Sequence, residues 1–277
     1  MNWHQHNNPN AGGNEAAFDP YGAGMTAADL GVDAKMDFLR DVYKWLMFAL
    51  AFGALVATGS FYLFTNNVGV LFSVLSPFVW IGILLGSMII TGMVVSRAMI
   101  NPQTAGAGLF IYAAIKGAIF GPLLAVAYMA AAGPELTISE SGALHGGSFQ
   151  IIWQALILTG IVFSGLTAYV FLTKQDFSFM RGALIVCGMV FMGVIFVYLL
   201  GLGFGWVEGG NFWMGMGIAV FGILLAAGFI LYDTSQILHK FTGAPGEAKM
   251  GALMLLSDLA LLLWYVILFL IQLSASD

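Results

Sequence analysis

Charge is what this sequence has least of. Asp, Glu, Lys and Arg make up 8% of its 277 residues, where a soluble domain carries roughly 25%, so a water-facing globular surface is excluded. Cysteine is nearly absent too: the single Cys187 stands inside an apolar run, which excludes a disulfide framework and a cysteine-based metal cluster. Basic residues are scarce, nine against 14 acidic ones for a net charge of -5. With no basic patch to neutralise phosphates, nucleic acid is excluded as a partner. What fills the chain instead is apolar, 60% of it, with 36 Gly, 23 Phe and 15 Met. Such a composition needs lipid rather than water as its solvent.

The opening differs from the rest. It runs Met1-Asn2-Trp3-His4-Gln5-His6 and continues through Asn, Gly, Ala and Pro with little to bury, which reads as a disordered tail. It lacks the basic start, apolar middle and small-residue cleavage site of a signal peptide, so the amino end is expected to stay where it is made. Thr26-Ala27-Ala28-Asp29 has capping-box spacing, and Asp29, Asp33, Asp37 and Asp41 recur every fourth residue. A short helix with a solvated acidic face is expected to lead into the membrane. Residues 1–37 thus form a tail with a pre-membrane helix, and 38–277 a transmembrane domain.

Seven apolar stretches follow, at about 43–64, 75–96, 106–131, 151–173, 179–203, 212–237 and 250–273. At 1.5 Å per residue each crosses the ~30 Å hydrocarbon layer, which gives an all-α integral membrane protein with seven transmembrane helices. Gly82-x-x-x-Gly86 and Gly117-x-x-x-Gly121, the latter followed by Pro122, are expected to be packing sites between helices. Lys35, Arg40 and Lys44 precede the first span, Arg97 ends the second, Lys174 and Arg181 flank the fourth connection, and Lys240 and Lys249 flank the sixth. Eight of the nine basic residues therefore fall on one side, the ninth being Lys116 within a span. That bias makes this side cytoplasmic, with the amino end inside and the carboxyl end outside. The longest outer connection, 132–150, carries Glu135, Glu140 and His145 and reads as a solvated loop.

Asp233, Asp258 and Lys116 fall inside spans, with Arg97 at a span end. An intramembrane charge costs roughly 2.5 to 3.5 kcal/mol, so each needs a partner or a function. Asp233 lies seven residues before Lys240 and Asp258 nine after Lys249, about 10 and 13 Å from the cytoplasmic edge. Spans six and seven are joined by a short connection and are expected to be antiparallel neighbours. The two carboxylates should face each other, with Arg97 close enough to bridge them. Such a pair titrates as a unit; the expectation is one shared proton near neutral pH, whose loss changes how Arg97 is held and moves a cytoplasmic gate. Two carboxylates also offer a weak Ca²⁺ site, completed by carbonyls and water, and weak binding suits permeation. No other cofactor is expected. Lys116 is near mid-membrane with no acid placed level with it, and His239, beside Lys240, is a second modulator candidate at the interface.

These residues resemble a known family. Phe229-Ile230-Leu231-Tyr232-Asp233-Thr234-Ser235-Gln236-Ile237 is similar to the sixth-helix motif of the Bax inhibitor-1, or transmembrane BAX inhibitor motif, family. Ser257-Asp258-Leu259, 258 − 233 = 25 residues on, resembles its seventh-helix aspartate. Phe38-Leu39-Arg40-Asp41-Val42-Tyr43 resembles the approach to its first helix, and Tyr112-Ala113-Ala114-Ile115 with Gly117-Ala118-Ile119-Phe120-Gly121-Pro122 its third. The resemblance implies a seven-helix fold with the last helix central and a pH-sensitive calcium leak governed by an aspartate pair, matched here by Asp233 and Asp258, with Arg97 as the bridging arginine. Two departures stand out. Lys116 replaces an apolar residue and opposes Ca²⁺ passage, and the ending Ser274-Ala275-Ser276-Asp277 lacks a basic tail, which points to a bacterial member in the inner membrane. Some bacterial relatives modulate a membrane protease, so a non-conducting interaction protein, acting on a membrane protease or a cell-stress response, is the rival reading.

An enzyme is not expected. Intramembrane aspartyl proteases also set Tyr-Asp on helix six and Asp on helix seven, but their Gly-x-Gly-Asp is Leu255-Leu256-Ser257-Asp258 here, and no proline follows Pro245. A retinal protein needs a lysine within span seven, which is lacking. A proton-coupled transporter would be favoured by an internal repeat, and none is evident.

Overall fold

The computed structural model describes residues 32–100, 102–132, 136–207, 212–241, 243–244 and 246–275. The Thr26 capping signal, the tail before residue 32 and Glu135 lie outside the described residues. Eight helices are seen among those described: α1 (Val32–Thr65), α2 (Val68–Val74), α3 (Pro77–Ile100), α4 (Ala105–Ala130), α5 (Gln150–Thr173), α6 (Arg181–Gly203), α7 (Phe212–His239) and α8 (Glu247–Ser274). All but α2 are long and apolar enough to cross a membrane, and the chain is an all-α, seven-span membrane protein.

The expected pre-membrane helix is not a separate element. It is continuous with the first span in the 34 residues of α1, because Phe38, Val42, Leu46 and Ala49 form one buried stripe across the junction. Asp37 and Asp41 are exposed, as a solvated face requires.

The short α2 and a two-residue antiparallel pair, β1 (Thr137–Ile138) with β2 (Leu144–His145), cap one end of the bundle. The Val68 amide donates to the Gly142 carbonyl at 3.0 Å, tying the two caps together, and Leu71 and Leu144 bury beneath them against Phe61 and Phe64. The connection expected as a plain loop is therefore partly ordered, although Glu140 and His145 in it remain exposed.

α8 is the central helix, packed against α1, α4, α5 and α7. Its Leu262, Val266 and Ile267 meet Phe120 of α4, Ile151 of α5 and Ile230 of α7 in one cluster, and Leu253, Leu255 and Leu256 meet α1 and α4 in another. α3 and α6 stand at the periphery and touch each other.

The small-residue motifs divide. At Gly117 a side chain would strike the Gly53 carbonyl, and at Gly121 it would strike Ser60, so α1 and α4 approach backbone to backbone. Ser60 uses that proximity to donate to the Ala118 carbonyl at 2.8 Å. Gly82 and Gly86 of α3, by contrast, have nothing within 4 Å of where a Cβ would sit. They are not a helix seam, because α3 presents that face outward.

Candidate functional site

The hairpin of α7 and α8 positions the site. Glu247, in the first turn of α8, accepts hydrogen bonds from the Gly243 and Ala244 amides at 2.8 and 3.2 Å, where a carboxylate also complements the helix dipole. That tight turn makes α7 and α8 antiparallel neighbours and sets the two aspartates opposite each other. A side-chain hydrogen bond joins Asp233 to Asp258. Two carboxyl groups bond only through a proton carried by one of them, so the pair is placed where it could share one. Asp258 is 4% exposed, and its Oδ2 has no hydrogen-bond partner among the described residues.

The pair lines a cavity of about 370 Å³ with walls from α3, α4, α6, α7 and α8. On the α4 side, Tyr112 Oη donates to Ser257 Oγ at 2.9 Å, and Lys116 Nζ stands 5.4 Å from the centre of the Tyr112 ring. Lys116, left without a partner by the sequence, thus shares the cavity with both aspartates. The signal was present: it lies ten residues into its span, ~15 Å from the end at which that span begins, close to the level of the pair. Its i,i+4 spacing from Tyr112 puts both on one face of α4. Tyr112, Tyr232, Ser257, Trp264 and Tyr265 line the cavity as well and were not singled out as site residues. Tyr265 follows Asp258 by seven residues, again one helix face.

Arg97 is not brought to the pair. It is exposed in the last turn of α3 and absent from the cavity walls, which take Leu84, Ser87 and Met88 from that helix. Nine residues separate Met88 from Arg97, ~13 Å along the axis, so Arg97 sits at the membrane edge while the carboxyls lie deeper.

His239 stands apart, clamping the end of α7 to the end of α5. Its Nδ1 is 3.0 Å from the Ser235 carbonyl and its Nε2 3.2 Å from the Lys174 carbonyl, the latter offered by a left-handed residue with φ of 51°. Nearby, the buried Ser235 Oγ accepts from the Phe177 amide at 2.9 Å, and Gln236 Nε2 donates to Ser178 Oγ at 2.9 Å. Ser235 and Gln236 therefore fasten the α5–α6 connection rather than line the cavity. In that connection Ser178 hydrogen bonds, with His239 and Lys240 nearby, hold the Asp176 carboxyl below the usual carboxylate range.

Among the described residues no three His, Cys, Asp or Glu side chains form a metal-binding group. Asp233 and Asp258 supply carboxyl oxygens, and a Ca²⁺ ion, which prefers six to eight oxygens, would need hydroxyls, carbonyls and water to fill its shell.

A multi-pass membrane protein with a buried pair of acids on a cavity between its helices is the class that fold and site define. The sequence profile of the family described as inhibitor of apoptosis-promoting Bax1 matches residues 35–275, and the chain belongs to this family. A membrane protein of Vibrio cholerae with no stated role is 31% identical over 206 residues, covering 73% of this chain and 75% of that one. Bax inhibitor 1 of Schizosaccharomyces pombe is 28% identical over 249 residues, 87% of this chain and 79% of its own. The modulator of FtsH protease YccA of Escherichia coli is 28% identical over 207 residues, 73% and 75% of the two chains.

Proposed function

We propose that the chain is a pH-sensitive cation leak of the bacterial inner membrane, with Ca²⁺ as the permeant ion and the Asp233–Asp258 pair as its gate. The observation that carries the reading is the hydrogen bond between two carboxyls in a cavity at the core of the bundle. While one proton is shared, the pair holds α7 against α8. When it leaves, two like charges face each other in a medium of low dielectric, and the helices separate or a cation takes the proton's place. Lys116, in the same cavity, disfavours a divalent cation and limits the flux. Arg97 makes no contact with the pair in this conformation; it joins the gate only if the last turn of α3 moves toward α7, and Arg97→Gln tests that step. The one-sided basic residues support an amino end in the cytoplasm, and the inner membrane is also where an Escherichia coli relative, inner membrane protein YccA, is placed by its name.

The test is Ca²⁺ flux into proteoliposomes between about pH 5 and 8, the range that brackets a proton shared near neutrality. Asp233→Asn and Asp258→Asn should each flatten the pH response; unchanged flux and unchanged pH response in both would overturn the reading.

A second reading, a non-conducting modulator of a membrane protease, is favoured by the name of the Escherichia coli relative. It calls for a membrane protease that co-purifies with the chain and a phenotype indifferent to the two aspartates. Both readings are of a non-enzyme, as the names inhibitor and modulator among the relatives suggest.

A further inference from the structure

We infer that the cavity at the aspartate pair is a binding site for lipophilic organic cations that arrive from the lipid between α3 and α6. The inference rests on the Asp233–Asp258 site of the proposed function but concerns a different ligand and a different route.

The walls fit such a ligand. Around the two carboxyls stand the rings of Tyr112, Phe229, Tyr232, Trp264 and Tyr265, and an aromatic face attracts a cation through its quadrupole, most strongly where water is excluded. One wall already holds a cation: the Lys116 ammonium, 5.4 Å from the Tyr112 ring centre. The Asp233–Asp258 pair, both members of which line the cavity, supplies the negative end. Acid and aromatic cage together recognise a charge spread over a bulky organic head, which sheds its water easily, rather than a small hydrated ion.

The route is apolar. A second cavity of about 270 Å³ lies between α3 and α6, lined by aliphatic and aromatic side chains, and shares Leu84, Met88 and Met192 with the first. Met88 and Met192 are 48% and 41% exposed on the lipid-facing surface. Two unbranched, adaptable methionines thus stand where the furrow meets the polar cavity. Gly193 lines the furrow, and nothing lies within 4 Å of where its Cβ would be, so the passage is open there. A hydrated Ca²⁺ ion has no way through such a furrow, whereas a lipophilic cation concentrates in the membrane beside it.

The test uses tetraphenylphosphonium, with its isosteric anion tetraphenylborate as control, on the full chain in lipid nanodiscs with empty discs subtracted. Saturable binding of the cation is expected, without displacement by the anion. Asp258→Asn should weaken it at least tenfold, Lys116→Met should tighten it severalfold by removing the competing ammonium, and Gly193→Phe should slow association severalfold by plugging the furrow. Equal binding of anion and cation, absence of saturable binding, or affinity and association rate unmoved by all three substitutions would overturn the inference. Ca²⁺ flux through the same variants reconstituted in proteoliposomes separates the two ideas. Flux that depends on the aspartates without cation binding removes this inference alone, and saturable cation binding with aspartate-independent flux removes the leak alone.

Discussion

Asp258 has one carboxyl oxygen without a partner and a side-chain hydrogen bond to Asp233, all inside a membrane-spanning helix. The stability consequence is asymmetric. Removing one member strands the other in a medium that cannot solvate it, at about 1 to 3 kcal/mol, while replacing both by apolar groups is close to neutral. Asp233→Leu is therefore expected to lower stability by that amount, and Asp233→Leu with Asp258→Leu to recover most of it, in thermal unfolding of the detergent-solubilised protein. Simple additivity of the two single losses would contradict the pairing. At the membrane edge, Asp176 offers a pH test of a different kind. Its carboxyl is held low by Ser178, then by His239 and Lys240. A depressed folded-state value gives stability present above the unfolded-state value, about 4, and lost as pH falls through the lower folded value. The stability difference between wild type and Asp176→Asn should thus shrink as pH falls below the unfolded-state value of about 4. A difference that grew on acidification would contradict the assignment.

At the scale of elements, the seven spans were legible because each is an apolar run of membrane length, and the α7–α8 hairpin because its connection is short. Height along the membrane was legible too: counting residues from Lys240 and Lys249 set both aspartates at one level, and the hydrogen bond between them agrees. Direction around each helix axis was not legible. Small-residue spacing alone does not say which face meets a neighbour, so Gly82-x-x-x-Gly86 and Gly117-x-x-x-Gly121 looked alike, yet only the second is a seam. Gly117→Ala and Gly121→Ala should each destabilise the protein by about 1 to 3 kcal/mol, since the added methyl meets backbone or Ser60 across the α1–α4 contact. Gly82→Ala and Gly86→Ala should stay within about 0.5 kcal/mol of wild type. Thermal unfolding of the four variants decides it; equal effects on α3 and α4 would contradict the packing. The caps α2 and β1–β2 escaped the sequence because elements of seven and two residues carry too few periods for a pattern. Their order comes from contacts between them, such as the Val68 amide to Gly142.

Over the whole molecule, α8 is at once the mechanical centre, touching four other long helices, and the bearer of Asp258. A change of charge there is felt by α1, α4, α5 and α7 together, which is why the account places the gate at that carboxyl rather than at the exposed Arg97. The peripheral helices α3 and α6 touch fewer long helices than α8 does. In the proposed leak, one proton shared by Asp233 and Asp258 sets the conducting state. The most direct measurement follows the protonated-carboxyl stretch by infrared spectroscopy and Ca²⁺ flux in the same proteoliposomes through a pH titration. The account predicts that the band and the flux change over the same pH interval, and that the band is missing and the flux pH-independent in the Asp233→Asn, Asp258→Asn double variant. A flux that still responds to pH in the double variant, or a band that titrates without any change in flux, would contradict it.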